Sequence, residues 1–411
     1  MTELRQQSDV DVQQSDLVAS DRRIMWLFNC IGTPDSLLYW NGIFPPYLHK
    51  YPKSEFLSAR PPSKPIPGTD YAVKCAGSVR IPLGRRRNSY ERQFVIASPT
   101  ILFAVRKFRP DVLIVSELLA YSLYVAIFRR LISSRVLVLI EGDPYQGSTR
   151  KPHWLIRRMR RFAASRVDGF LTNNDGGKEY LVGQLGVSAD KVTVRPFLVS
   201  EIESGQGKRE FTLPETIAQD AADPGKVAFL YVGQLVERKG VLPLVKSIGE
   251  LPEETKARLV LWLVGDGEQR QEIGDCIEQL GLQDTVKMPG RCPYEELPGY
   301  YQAADVFVMP TLDDYRALVG FEALSQGLPM LHSIYDGACR ETVVAGENGL
   351  TFDPLDVKQT SESVAWFVNN SDQLAKMADA SQRISKNYTV EKAVAGIAEA
   401  IESCLKDKPQ E

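Results

Sequence analysis

The feature that most restricts the fold is a double run of alternating apolar and amphipathic blocks, interrupted once. Between residues 100 and 200 the order is ILFAVRKF, RPDVLIVSE, YSLYVAIFRRL, SRVLVLIEG, HWLIRRMRRFAASR, VDGFLTNN, GGKEYLVGQLG and KVTVRPF. Short blocks rich in Val, Ile, Leu and Phe read as buried strands, and the longer blocks with apolar residues three and four apart read as helices. Strands separated by helices cannot pair through tight turns, so the pattern predicts parallel sheets with right-handed crossovers. Residues 201–224 break the alternation, and a second set opens with KVAFLYVGQLVERKG. A chain of 411 residues exceeds one typical core, and two α/β domains of about 150 to 200 residues each are expected.

Composition narrows the class. With 44% hydrophobic and 25% charged residues the chain is an ordinary globular one. Residues 1–20, rich in Gln, Ser and Asp, lack a charged-then-apolar signal pattern and read as a disordered leader. The apolar block from Val112 to Phe128 is interrupted by Glu117 and is shorter than the roughly 20 residues needed to span a bilayer. Six cysteines are scattered without CxxC or metal spacing, which points to reduced thiols and a cytoplasmic protein. Net charge is -3 but lopsided: residues 21–200 hold 28 basic and 13 acidic side chains, and residues 201–411 hold 20 and 35. A basic first half suits an anionic partner such as the inner membrane face, a lipid-linked phosphate or an acidic polysaccharide, or it serves attraction between the two halves. Nothing points to nucleic acid.

In the first half, RIMWLFNCI from Arg23 reads as a first buried strand, with Gly32 and Thr33 in the loop at its end. Residues 41–90, rich in Pro, Tyr and basic side chains, read as a long loop-rich region. In LIRRMRRFAASR, Arg157, Arg158, Arg160 and Arg161 stand beside Leu155, Ile156, Met159 and Phe162. Such a helix either lies peripherally on a membrane or buries its apolar stripe and shows its arginines to water. The turn at Glu141, Gly142, Asp143 and Pro144 follows a strand and so sits at a sheet edge, where Asp143-Pro144 also suits plain turn initiation.

The densest chemistry lies from Ala304 to Gly349. AADVFVMPT reads as a buried strand, TLDDYR as a loop, and LVGFEALSQG as a helix stopped by Gly327 and Pro329. A helix start offers unpaired N–H groups and the positive end of a dipole, so the backbone from Arg316 through Ala317 and Leu318 to Val319 suits a phosphate. Carboxylates accept hydrogen bonds from hydroxyls, and Asp314 and Glu322 bracket that start. A ligand ordered hydroxyls, phosphate, hydroxyls is a nucleotide-sugar. Earlier in the second half, Gly233, Gln234, Arg238, Lys239 and Gly240 follow a strand, and fixed cations there would neutralise a leaving diphosphate. Gly265 ends the next strand and joins the expected donor set.

Asp314-x7-Glu322, Gly327-Leu328-Pro329, the Arg-Lys-Gly of 238–240 and GRCPYEELPGYYQAAD together resemble the family 4, or group 1, retaining glycosyltransferases. The resemblance covers Val227 to about Pro354 well. It implies two Rossmann-like domains facing across a cleft, the GT-B fold, with a retaining transfer from a nucleoside diphosphate sugar; no ligand cluster for a divalent metal is visible in the sequence, so the activity is expected to be metal-independent and without a cofactor. Asp314 would hold the donor sugar, Glu322 the ribose, Lys239 and Arg238 the diphosphate, and Glu141 stands where the family often has a His. This chain carries Arg316-Ala317 where an aromatic-Gly pair is usual, and Gln234 where an Arg is usual. The acceptor is expected to be a glycan, a lipid-linked or a small molecule. The expected domains are 21–205 for the acceptor, 225–385 for the donor, a linker at 206–224 and a returning helix at 386–411. An epimerase of the same architecture and a silent nucleotide-sugar-binding subunit are the alternatives.

Overall fold

The computed structural model describes residues 19–28, 40, 42–59, 73–82, 93–144, 153–200 and 213–406. Residues 1–18 of the leader and the loop with Gly32 and Thr33 lie outside the described residues. The strands are β1 (Ile24–Phe28), β2 (Ser54–Ser58), β3 (Val73–Cys75), β4 (Ser78–Pro82), β5 (Gln93–Ala97), β6 (Val112–Ser116), β7 (Arg135–Ile140), β8 (Gly169–Thr172) and β9 (Val192–Val194). The second half adds β10 (Val227–Val232), β11 (Leu259–Val264), β12 (Val286–Gly290), β13 (Val306–Met309), β14 (Met330–Ser333) and β15 (Gly349–Phe352).

Two parallel sheets result, ordered β3-β2-β1-β6-β7-β8-β9 and β12-β11-β10-β13-β14-β15, while β4 and β5 form a separate antiparallel pair. Helices cover both faces, so the strands read as continuous apolar runs instead of alternating ones. In β1, Ile24, Trp26 and Phe28 enter one apolar layer and Met25 and Leu27 the other. Trp26 sits among Phe28, Trp40, Phe44, Tyr47 and Phe56, with ring centroids 5.3 to 6.2 Å away. Its indole N–H donates to the Tyr47 hydroxyl at 2.9 Å, so this polar atom enters the core satisfied.

Residues 41–90 depart from the loop-rich expectation. They contain a helix, Phe44–Lys50, and three strands, two of which extend the first sheet, with β2 in parallel register on β1. Proline in the first turn of Phe44–Lys50 disguises the helix, although a missing N–H there costs nothing. Within the expected linker, residues Glu215–Ala221 form a helix whose Ile217 is buried in the second core. The last helix, Val390–Leu405, returns to the first half and packs beside β7 and β8 with Ala393, Ile397 and Ile401 in its core.

Sheet order locates the sites. It reverses between β1 and β6 in the first sheet and between β10 and β13 in the second. In open α/β sheets ligands bind in the crevice beyond the carboxyl ends of strands at such switch points.

Candidate active site at the two switch points

The loops after β10 and β13 meet at the second switch point. The Arg238 carbonyl accepts from the Leu312 N–H at 2.7 Å and from the Thr311 hydroxyl at 3.0 Å, which clamps one loop to the other. Gly240, with φ +67°, lies so close to Pro310 that a Cβ would stand 1.9 Å from its carbonyl oxygen. Gly265 is as constrained, since a Cβ there would stand 1.8 Å from the Gly233 carbonyl. These contacts bring Arg238, Lys239 and Asp314 together: Lys239 Nζ pairs with Asp314 Oδ2, and Arg238 reaches the same oxygen at 3.3 Å. Two cations on one carboxylate leave net positive charge at a partly buried spot. Gln234 contributes its carbonyl oxygen to the Tyr231 hydroxyl, 2.8 Å away.

The helix after this loop runs Leu318–Ser325, with Ala317 at its N-cap. The Ala317 N–H donates to Asp336 Oδ1, as does the Ala338 N–H at 2.9 Å, so Asp336 ties the helix start to the following loop. Burial alone would raise the pKa of Asp336, but its bonds to His332 and to these two N–H groups hold it below the usual carboxylate range. His332 is fixed on its other side by the Thr342 hydroxyl at 2.9 Å. The N–H groups of Leu318 and Val319, at the start of this helix, have no partner within it.

Arg316 is turned elsewhere. Its guanidinium is buried, forks onto Glu341 at 2.8 to 3.2 Å, stacks 3.9 Å from the Phe321 ring centroid and donates to the Leu198 carbonyl of the first half. Glu341 also accepts from Asn174 of the first half at 2.6 Å. The residue that departs from the usual aromatic-Gly pair thus closes the two halves on each other.

Glu322 is buried, and burial raises its pKa, opposed by hydrogen bonds from Ser200, Tyr301 and Tyr294. Ser200 and Tyr294 donate to Oε1 at 2.8 and 3.3 Å and Tyr301 to Oε2 at 3.0 Å. Hydroxyl donors therefore already occupy this carboxylate, which is the interaction a ribose diol would make.

Across from this set, the first switch point carries Glu117. It follows β6 in the left-handed region, φ 59°, which non-glycine residues seldom adopt. Its Oε1 accepts from the Glu141 N–H at 2.8 Å. Burial, with the nearby charge of Glu141, pushes the Glu117 carboxyl up to about 8. Burial likewise raises Glu141, while Arg316 lowers it and Asp314 raises it further, so Glu141 feels the second half directly. Sequence reasoning named Glu141 but missed Glu117, Glu341, Asn174 and Ser200. Only Glu117 left a signal, as the acid closing a strand. A cavity of about 940 Å³ opens beside these groups, lined by Asp143, Asn174, Arg195, Arg340, Glu341 and Lys392. It follows the flank covered by the last helix and is not lined by Lys239, Asp314 or Glu322.

Among the described residues no cluster of three or more His, Cys, Asp or Glu is placed to hold a metal ion, and no helix is long and apolar enough to cross a membrane.

Known proteins share this sequence pattern and this fold. Residues 214–384 match the glycosyl transferases group 1, and residues 58–197 match the glycosyl transferase 4-like domain. The chain belongs to the group 1 glycosyltransferases. The 2-deoxystreptamine glucosyltransferase of Streptomyces kanamyceticus is 26% identical over 54% of this chain and 57% of its own length. The D-inositol 3-phosphate glycosyltransferase of Corynebacterium urealyticum is 28% identical over 44% of each. The chain spans about half the length of these curated relatives. Anabaena HepE in complex with UDP superposes with a TM-score of 0.71 at 17% identity, covering 93% of this chain and all of that one. WaaG, a glycosyltransferase involved in lipopolysaccharide biosynthesis, gives 0.61 at 13% identity over 92% of this chain and 99% of its own. The shared fold is GT-B.

Proposed function

We propose that the protein moves a sugar from a nucleoside diphosphate sugar to an acceptor hydroxyl with retention at the anomeric carbon. The observation that carries this reading is the gathering of Lys239, Arg238 and Asp314 at the second switch point, opposite Glu141 and Glu117 at the first. The diphosphate would draw the two cations from Asp314, freeing that carboxylate for sugar hydroxyls. As the bond from the anomeric carbon to the β-phosphate oxygen breaks, Lys239 and Arg238 neutralise the charge that develops there. The acceptor oxygen attaches on the same face, and its proton passes to the departing phosphate. Glu322 would hold the ribose, with the diol replacing the Ser200 and Tyr294 hydroxyls. Glycans, lipid-linked acceptors and small molecules are all compatible with a first half whose cleft edge offers carboxyls.

Uridine diphosphate glucose, bound to HepE in one solved structure, is the first donor to try. A donor that binds only the folded state raises the unfolding midpoint. Glu322→Ala is expected to weaken that binding by roughly one to two orders of magnitude, the loss of a charge-assisted hydrogen bond. Midpoint shifts identical in wild type and variant would remove Glu322 from the site. Nucleotide released only when acceptor is present supports transfer, whereas conversion of the donor without acceptor would identify an epimerase.

A further inference from the structure

We propose that the outward face of the helix Trp154–Ala164 docks the protein on an anionic lipid surface. The helix does not bury its apolar residues as an ordinary domain helix does. Only Ala163 and Ala164 are buried, while Trp154 is 64% exposed, Leu155 45%, Ile156 46% and Phe162 37%. At 3.6 residues per turn, Trp154, Arg157, Arg158, Arg161 and Phe162 share one side. That side is the exposed one. The inward Arg160 instead donates to the Tyr180 hydroxyl at 2.9 Å. From His153 to Val167 there are five arginines and no acid. Arg166 adds a guanidinium 5.0 Å from the Phe162 ring centroid. The adjoining helix Ala120–Ile127, which packs on this one, ends in exposed Ile127, followed by exposed Arg130 and Leu131.

A mixed face of this kind fits one chemistry. Water alone favours charges without a large indole and a phenyl ring among them, and an apolar protein partner would leave the arginines unpaired. A bilayer surface satisfies both. Trp and Phe settle at the headgroup boundary, and guanidinium groups reach lipid phosphates while their stems lie along acyl chains. The partner is therefore an anionic phospholipid headgroup layer. The test of this surface needs neither donor nor acceptor.

The full chain is floated with vesicles of phosphatidylcholine alone and of phosphatidylcholine mixed with phosphatidylglycerol. Trp154 is exposed whereas Trp26, Trp40 and Trp262 are buried and Trp366 is half-buried, so tryptophan emission reports on the helix. The expected result is binding to the anionic vesicles only, with a blue shift and partial release by salt. Arg157→Gln with Arg158→Gln is expected to lower partitioning roughly fivefold per arginine. Trp154→Ser with Leu155→Ser is expected to lower it at unchanged charge and remove the blue shift. Lys358→Gln with Lys376→Gln, exposed on the other half, serves as the control and leaves binding intact. Midpoints of thermal unfolding check that every variant folds. Absence of wild-type binding to anionic vesicles overturns the proposal. So does equal binding by the Trp154 and Leu155 variant, which would reduce the effect to unspecific polyanion attraction.

Discussion

The two halves share one architecture and treat charge in opposite ways. At the second switch point unlike charges meet: Asp314 holds Lys239 and Arg238 in a partly buried cluster. At the first, like charges meet: Glu117 and Glu141 stand side by side, and both carboxyls are held above their ordinary range, chiefly by burial. A pair of cations on one carboxylate is prepared for an incoming anion. Two buried acids whose burial favours the protonated form suit hydroxyls, which both donate and accept. The comparison teaches that one scaffold used twice sets a loop cluster at each switch point, and that the buried charge tells the two clusters apart.

The largest expected effect breaks the link between the halves. Arg316→Ala strands Glu341 and the Leu198 carbonyl in a buried place, and losing one partner of a buried pair costs about 3–5 kcal/mol. Denaturant unfolding measures this, and a midpoint like that of wild type would show that the Arg316 latch does not hold the halves together. Next comes the cationic half. Lys239→Ala is expected to cut turnover about 10²- to 10³-fold, as loss of one preorganised donor to developing charge does. Turnover within a few-fold of wild type would leave the leaving-group role to Arg238.

The smallest effect sharpens the acidic half. Because the folded-state pKa of Glu117 is raised, the native state holds a proton that the unfolded chain has lost between the ordinary 4.5 and about 8. Stability from this group is therefore greatest below that window and declines as pH rises through it. Glu117→Gln is expected to flatten the decline, so that its unfolding midpoint gains on wild type at the alkaline end. Parallel profiles for the two proteins would place the Glu117 proton elsewhere.

The parts legible in the sequence were those whose residues act near their own place in the chain. The buried runs of β6 to β8, β10, β11 and β13 are mostly Val, Ile, Leu and Phe, because both faces are covered. Asp314 and Glu322 flank one helix start, and Lys239 follows one strand, so local pattern together with the family resemblance brought them forward. Residues 41–90 escaped because three- to five-residue strands and a proline-led helix carry no period long enough to recognise. The helix Trp154–Ala164 left two readings open. Its periodicity allowed a buried stripe, and only its place on the sheet shows that Trp154, Leu155 and Phe162 face outward.

By itself, the sequence determined two parallel α/β halves, the switch from one to the other after residue 200, and the acid-helix-acid and Arg-Lys-Gly segments, since backbone propensity and apolar periodicity are local properties. Tertiary structure alone decided that Arg316 turns from the cleft to Glu341, that Asn174 and Ser200 reach the other half, and that Glu117 and Glu141 share a buried corner. Each of those outcomes depends on distance and desolvation between groups far apart in the chain, and neither quantity is written in residue order.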